Sequence, residues 1–231
     1  MKVSVRFSAG VVRVAIAALG LGLGAGVGCR AATAPNVPAP QVDDALAAKP
    51  GHEKAVFAGG CFWGTQTVFE HVRGVVKVTA GYAGGSASTA TYDQVGTETT
   101  KHAESVEVVF DPSKITYGTL LQVFFTIHDP TTLNRQGPDQ GTSYRSAIFT
   151  TSENQRRIAS AYIAQLMAAR VFAQPIVTEV TKLPEFFPAE GYHQDYAMNN
   201  PDNPYIMVCD RPKLETLKTV FPQLYVLYKG K

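Results

Sequence analysis

From about residue 54 onwards, segments with the two-residue period of a β-strand and the three- to four-residue period of an α-helix follow one another in a fixed order. They predict a strand, a helix, two strands, a helix and a strand, at residues 55–58, 65–72, 75–82, 105–110, 117–128 and 144–150. This order predicts an α+β fold, a two-layer ferredoxin-like plait with a mixed or antiparallel sheet and helices on one face.

The rest of the chain is expected to add coil and further helices to this plait. Ser152 followed by Gln155 has the pattern of a capping box and predicts a helix that runs to about residue 170. Further elements are expected as a strand at 175–181, helices at 193–198 and 212–220, and an extended apolar segment at 205–209.

Size and composition exclude several classes of protein. With 231 residues, 45% of them hydrophobic, the chain can bury one sizeable core, and its aromatic content excludes a disordered chain. The formal net charge is +2, and no run of Lys and Arg forms a basic stripe. We therefore expect no nucleic-acid partner.

The N-terminus has the order of a secretory signal. Lys2, Arg6 and Arg13 precede an uncharged segment at 14–28, which is too short to span a bilayer comfortably and ends in a small residue before Cys29. That end resembles a bacterial lipoprotein cleavage site, although Gly26 stands where Leu is usual. The alternative, a cytosolic protein with an apolar N-terminus, does not explain this order.

Three units are expected from these features: a signal peptide at 1–29, of lipoprotein type if Cys29 is lipidated, a flexible Ala- and Pro-rich linker at 30–52, and a catalytic domain at 53–228. The expected location is outside the cytoplasm, in the periplasm or on a membrane through Cys29.

Cys61 is the strongest candidate for a reactive group. The chain has three cysteines, too few for a disulfide scaffold, and no Cys-x-x-Cys or Cys/His cluster, so neither zinc binding nor thioredoxin-type chemistry is predicted. Cys61 lies between a strand and a helix, after Gly59 and Gly60. A helix N-terminus favours a thiolate, so we expect a depressed pKa. The alternative is a small buried apolar residue.

The residues around Cys61 resemble a known family. Gly60-Cys61-Phe62-Trp63-Gly64 is similar to the signature of the peptide methionine sulfoxide reductase A family. Further similar motifs follow in family order: Gly81-Tyr82-Ala83-Gly84-Gly85, Thr91-Tyr92, His102-Ala103-Glu104, His128-Asp129-Pro130-Thr131, Asp139-Gln140-Gly141-Thr142, Tyr144-Arg145-Ser146 and Tyr192-His193-Gln194-Asp195-Tyr196. The resemblance covers roughly residues 54–225.

The resemblance implies a role for each matched side chain. Cys61 attacks the sulfoxide sulfur, and Glu104 protonates the sulfoxide oxygen as it leaves. The other implied residues bind substrate: Tyr92 and Tyr144 hydrogen-bond the oxygen, Phe62 and Trp63 hold the methyl group, and Asp139 shapes the site. Taken alone, Glu104 would be a surface carboxylate, and the aromatic residues would belong to the core or its edge.

The implied reaction is protein repair by a monomer. The substrate is methionine S-sulfoxide, free or in proteins, and the product on Cys61 is a sulfenic acid that a thiol removes. No cofactor is bound, and the reductant is an external thiol: a thioredoxin-like protein in the cell, or dithiothreitol in vitro. The Gly-rich tail that carries recycling cysteines in the family is missing, so Cys209 is expected to be a buried structural residue.

The sequence departs from the family pattern at two further positions, and its residues leave two other functions open. Lys101 replaces a usual Gly, and Ser143 a usual Gln. One alternative is a hydrolase that pairs Cys61 with His193; the other is a non-catalytic, membrane-tethered module that binds Met-containing peptides on Phe62 and Trp63. The proposed reduction needs no histidine base, so His102 and His193 are interpreted as structural.

Overall fold

The computed structural model describes residues 35–228. Its helices are α1 (Phe62–Glu70), α2 (Tyr92–Val95), α3 (Tyr117–Ile127), α4 (Glu153–Ala168), α5 (Tyr196–Asn199) and α6 (Arg211–Val220). Its strands are β1 (Glu53–Gly59), β2 (Val75–Ala83), β3 (Ala103–Phe110), β4 (Arg135–Gln136), β5 (Asp139–Gln140), β6 (Ser146–Thr150), β7 (Glu179–Lys182) and β8 (Phe186–Pro188).

Six strands form one mixed sheet in the order β7-β6-β1-β3-β2-β8. Every neighbouring pair is antiparallel except β6 and β7, which are parallel. The predicted α+β class is confirmed. The predicted order of four strands and two helices is also present, as β1, α1, β2, β3, α3 and β6.

The core lies between this sheet and α1 and α3. Phe57 on the central strand β1 stacks on Phe69 of α1 and Phe124 of α3, with ring centroids 5.3 and 5.1 Å apart. The Thr116 hydroxyl accepts from the Thr119 amide at 3.1 Å and fixes the start of α3. Since β1 and α1 pack on this rigid core, the turn between them, which holds Cys61, is fixed on both sides.

The capping box prediction for α4 is confirmed. Ser152 is the N-cap residue, and its Oγ accepts from the Gln155 amide at 3.1 Å. The Gln155 side chain in turn accepts from the Thr151 amide at 3.0 Å. Two amides that the helix itself leaves without partners are therefore satisfied.

Two predictions for the C-terminal part are wrong. Residues 206–210 form a π-helical turn that leads into α6, whereas the apolar run at 205–209 predicted an extended segment. The strand predicted at 175–181 begins only at Glu179, where it pairs in parallel with β6. In both places partners distant in sequence decide the structure, and the local pattern does not identify them.

The linker prediction does not hold for the part of residues 30–52 that the structure describes. Val37 is buried, and the Pro38 carbonyl accepts from the Tyr162 hydroxyl at 2.6 Å. The Asp43 carboxylate accepts from the Gly118 amide at 2.9 Å, in the first turn of α3. This segment is bound to the surface of the domain because its carbonyls and Asp43 meet donors on α3 and α4.

The predicted signal peptide, including Cys29, lies outside the described residues. Within residues 35–228, no helix is long and apolar enough to cross a membrane.

Acid is expected to destabilise the fold through His128. Its Nδ1 donates to the Phe124 carbonyl at 2.6 Å, so its Nε2 accepts from the Ser146 hydroxyl at 2.8 Å. Burial lowers the pKa of His128 from 6.5 to about 4. Between these values the unfolded chain binds a proton that the folded chain does not. The contribution of His128 to the free energy of unfolding is therefore fully present above pH 6.5. It is lost as the pH drops towards 4, by about 3 kcal/mol in all.

Urea unfolding at pH 7.5 and pH 5 measures this effect, and His128→Gln should show a smaller difference between the two. The exposed His52 gives a control, because His52→Gln should keep the wild-type difference. An unchanged difference in His128→Gln would contradict the prediction.

Candidate active site

Cys61 is the residue that begins α1. It is the N-cap of the helix and follows Gly60, whose φ of +86° lies in the left-handed region that favours glycine. The thiol is free and 7% exposed. The sequence prediction that Cys61 lies at a helix start is confirmed.

Gly60 also allows a close approach by the loop that contains β4 and β5. A Cβ atom on Gly60 would overlap the side chain of Gln136. Gln136 is held by two hydrogen bonds to the backbone of Asp129, at 3.0 and 3.1 Å. The loop can therefore lie directly against the turn that holds Cys61.

Glu104 lies beside the same turn. It is 4% exposed, and its Oε2 accepts from the Phe62 amide, in the first turn of α1, at 3.0 Å. Burial raises the pKa of Glu104 to about 8, although the Phe62 hydrogen bond favours the charged form. At pH 7 the carboxyl is mostly protonated and can donate a proton.

The expectation of a depressed pKa at Cys61 is wrong. Burial raises the pKa of Cys61 well above its ordinary value, and Glu104 and Asp210 raise it further, whereas Lys213 and the Trp63 backbone lower it. Loss of hydration outweighs the helix N-terminus. The resting residue is therefore a thiol beside a carboxylic acid.

The structure brings the other predicted polar residues into the same region. Tyr92 begins α2, Tyr144 ends a 3-10 turn, and Asp139 is in β5. Burial raises the pKa of the Tyr144 hydroxyl, as do, in decreasing order, Glu104, Asp139, Cys61 and Tyr92. Both tyrosines keep their protons at neutral pH and can act as hydrogen-bond donors.

An aromatic cluster covers the start of α1. Trp63 stacks on Tyr196 at 3.9 Å, contacts Tyr205 edge-on at 6.1 Å, and donates from Nε1 to His193 Nδ1 at 3.2 Å. Phe62 is fully buried, with its ring centroid 5.1 Å from that of His193. His193 Nδ1 is therefore occupied by Trp63, and within residues 35–228 no hydrogen bond joins His193 to Cys61, as a hydrolase pair would need.

His102 and Cys209 have other surroundings. His102 accepts from the Gly85 amide at 3.2 Å and bonds the Ser86 carbonyl at 3.0 Å, so it holds that loop. Cys209 is half-buried in the π-helical turn Ile206–Asp210, so its expected full burial is wrong. Across residues 35–228, no group of three or more His, Cys, Asp or Glu side chains could hold a metal ion.

Glu98 fixes the turn that carries Tyr144 through a contact that no sequence pattern predicted. Its carboxylate accepts from the Ser143 amide and hydroxyl, at 2.8 and 2.6 Å, and from the Thr142 hydroxyl at 3.1 Å. Ser143 departs from the family pattern, and its side-chain hydroxyl makes one of these bonds. A polar loop gives no sequence signal for such a contact.

Glu190 connects two tyrosines of the site. Its Oε1 accepts from the Tyr92 amide and its Oε2 from the Tyr82 hydroxyl, each at 2.9 Å. Its place two residues before the motif at 192–196 was the one available signal for it. It holds the start of α2, and with it Tyr92, against the sheet.

Comparison with known proteins decides the family. The sequence model described as peptide methionine sulfoxide reductase matches residues 53–224. The chain belongs to the peptide methionine sulfoxide reductase family. It is an oxidoreductase that reduces methionine sulfoxide and takes part in protein repair.

Named relatives agree with this assignment. The chain is 55% identical, over 77% of its length and 92% of the relative's, to peptide methionine sulfoxide reductase MsrA 2 of Mesorhizobium japonicum. Two solved structures are similar: reduced Mxr1 of Saccharomyces cerevisiae (32% identity, TM-score 0.61, 71% of this chain and 92% of that chain) and methionine sulfoxide reductase A of Corynebacterium diphtheriae (38%, 0.59, 73% and 86%).

Removal of the Glu190 carboxylate should weaken the reductase by freeing Tyr92. Glu190→Ala loses both hydrogen bonds, and we expect kcat/KM for methionine sulfoxide to fall roughly tenfold, as for a misplaced binding group. Glu190→Gln can still accept from the Tyr92 amide and donate to the Tyr82 hydroxyl, so it should keep most activity.

Glu185→Ala, at an exposed position five residues earlier, is the control and should behave as wild type. Wild-type kinetics in Glu190→Ala would show that Tyr92 does not depend on this contact.

Proposed function

We propose that this reductase converts methionine S-sulfoxide, free or in proteins, to methionine with a thiol, through a sulfenic acid on Cys61. The position of Glu104 is the observation that carries the proposal. A buried carboxyl with a pKa of about 8 lies at the helix turn that begins with a free cysteine. Sulfoxide oxygen leaves poorly unless it is protonated, so a thiol needs an acid at this place.

The first step balances within these groups. The Cys61 sulfur attacks the sulfoxide sulfur, Glu104 gives its proton to the oxygen, and the thiol proton of Cys61 replaces it on Glu104. The attack forms a bond between the two sulfurs, and the S–O bond then breaks. The released oxygen, as hydroxide, attacks the Cys61 sulfur and breaks the bond between the sulfurs, so that Cys61 becomes a sulfenic acid and methionine leaves. Cys61 loses two electrons, and the substrate gains two.

The surrounding residues are assigned to substrate binding. Tyr92 and Tyr144 donate to the sulfoxide oxygen, supported by hydroxyls that stay protonated near Glu104. Phe62 and Trp63 contact the methyl group, supported by the preference of sulfur-linked methyl groups for aromatic rings. Asp139 accepts from the Tyr205 hydroxyl and so shapes the same wall.

A thiol then restores Cys61. One external thiol condenses with the sulfenic acid to give a disulfide and water, and a second thiol releases Cys61. We assign this role to a thioredoxin-like protein in the cell and to dithiothreitol in vitro, with no bound cofactor. Cys209→Ser is expected to keep dithiothreitol-dependent turnover, and loss of turnover in that variant would contradict an external route.

Resolved epimers of methionine sulfoxide test the proposal. With dithiothreitol, the wild type should reduce the S epimer and leave the R epimer, and Cys61→Ser should reduce neither. A dimedone adduct on Cys61 after one turnover without thiol identifies the sulfenic acid. Turnover by Cys61→Ser, or of the R epimer alone, would overturn the assignment.

Location, assembly and topology complete the proposal. The N-terminal pattern supports export and a membrane anchor at Cys29, and loss of the protein from the membrane fraction in Cys29→Ser tests the anchor. We also propose that the protein is a monomer, and light scattering measures its mass in solution. We also assign the unit β1-α1-β2-β3-α3-β6 to the ferredoxin-like plait, supported by its strand order β6-β1-β3-β2 and antiparallel pairing.

A further inference from the structure

A buried ion pair lies over the first turn of α1. Lys213 Nζ is 3.1 Å from Asp210 Oδ1, and the two side chains are 14% and 1% exposed. A Cβ atom on Gly64 would overlap Asp210 Oδ1 and lie 2.9 Å from Lys213 Nζ. Both charges therefore lie against the backbone of the helix that Cys61 begins, in space that Gly64 leaves open.

Stability does not account for this pair. Removing two charges from water costs several kcal/mol per ion, and apolar side chains of similar volume often do as well or better. Asp210 Oδ2 is buried and has no hydrogen-bond partner among residues 35–228, so these residues do not fully satisfy the carboxylate. Burial accordingly raises the pKa of Asp210, while the Asp210 carboxylate raises that of Lys213 against the effect of burial.

A positive charge close to Cys61 would stabilise its thiolate. The titratable groups that interact with Cys61 come from five parts of the fold. Glu104 is on β3, Tyr92 on α2 and Tyr144 on the 3-10 turn. Asp210 belongs to the π-helical turn, Tyr205 directly precedes that turn, and Lys213 is on α6. Asp139 from β5 interacts with Lys213 and with both Tyr92 and Tyr144. In this set Lys213 carries the positive charge.

We propose that Lys213 is a positioning residue whose ammonium group stabilises the attacking Cys61 thiolate, and that Asp210 holds this group in place and opposes its charge. The inference rests on the proposed function, because it assigns the countercharge for the same attack. It predicts opposite effects for the two partners. Loss of Lys213 disfavours the thiolate, and loss of the Asp210 charge favours it, in line with their opposite effects on the pKa of Cys61.

Alkylation of Cys61 by iodoacetamide, followed by mass spectrometry of the Cys61 peptide from pH 6 to 10, tests the proposal on the full chain. At pH 7 we expect Lys213→Met to react several-fold more slowly than wild type and Asp210→Asn about tenfold faster, as for shifts of up to about one pKa unit. Lys213→Arg should restore the rate, and Lys218→Met, at a partly exposed position on the same helix, should not change it.

Opposite changes in the alkylation rate of the two variants distinguish an electrostatic effect from a packing effect. Loosening of the site would change the rate in the same direction in Lys213→Met and Asp210→Asn, and that result would overturn the proposal, as would wild-type alkylation in Lys213→Met. If one charge left alone unfolds a variant, as circular dichroism would show, the double variant Asp210→Asn/Lys213→Met removes both charges and should react at close to the wild-type rate. A double-variant rate at or below that of Lys213→Met would also overturn the proposal.

Alkylation needs no sulfoxide, so the two proposals fail separately. Opposite changes in alkylation rate without turnover of methionine sulfoxide would contradict the proposed reaction and support the role of Lys213. Thiol-dependent turnover with unchanged alkylation in Lys213→Met would support the reaction and contradict the role of Lys213.

Discussion

Replacement of Glu104 by glutamine is expected to reduce turnover of methionine S-sulfoxide by about 10²- to 10⁴-fold, the usual contribution of a general acid. Glutamine keeps an acceptor for the Phe62 amide, so the helix turn should remain in place. It has no acidic proton for the sulfoxide oxygen. Single-turnover rates with saturating substrate measure the chemical step directly.

The pH dependence gives a second readout for Glu104. Its carboxyl must be protonated to act, so the wild-type rate should fall as the pH rises through about 8. Glu104→Gln should lack this decline. Glu107→Gln is the control, because Glu107 is on the same strand but pairs with the exposed Lys54 at 3.0 Å. Near wild-type turnover in Glu104→Gln would remove Glu104 from the mechanism.

The stability of Glu104→Gln should rise although its turnover falls. A buried carboxyl with a raised pKa destabilises the fold at pH 7, because the unfolded chain releases the proton freely and the folded chain does not. Glu104→Gln removes this penalty, and its free energy of unfolding at pH 7 should exceed that of wild type. The active site would then contain a group kept for chemistry at the expense of stability.

Gly60→Ala is expected to cause a large loss of stability. An alanine at φ +86° is strained, and its Cβ would overlap Gln136. Together these effects should lower the free energy of unfolding by about 3 kcal/mol. For a domain of this size the melting temperature should fall by roughly 5–10 °C. Activity should fall as well, because the turn that holds Cys61 must move.

Gly191→Ala is the matched control for this substitution. No heavy atom lies within 4 Å of a Cβ built on Gly191, and its φ is outside the left-handed region. The variant should melt within about 1–2 °C of wild type, as surface substitutions do. Equal melting temperatures for Gly60→Ala and wild type would show that the loop adapts freely.

Local signals in the sequence were sufficient for the elements that frame the site. The apolar run that becomes β1, followed by Gly59 and Gly60, predicted Cys61 at the start of a helix. Apolar periodicity predicted α3, and Ser152 with Gln155 predicted α4. These features depend on residues close together in the chain, so one sequence is enough to find them.

The environment of Cys61 could not be predicted in the same way. Its raised pKa depends on burial and on Glu104 and Asp210, which lie 43 and 149 positions away. The roles of Glu98 and Glu190 likewise depend on contacts between distant segments. A helix N-terminus is visible in the sequence, but the hydration that the folded chain removes from the sulfur is not.

The position of Trp63 makes the site optically observable. It is the only tryptophan in the chain, and it stacks on Tyr196 while its Nε1 donates to His193. Tryptophan emission from this protein therefore comes from two residues beyond Cys61 and from nowhere else. Binding of a sulfoxide or oxidation of the sulfur can be followed in real time as a change in that emission, without a label.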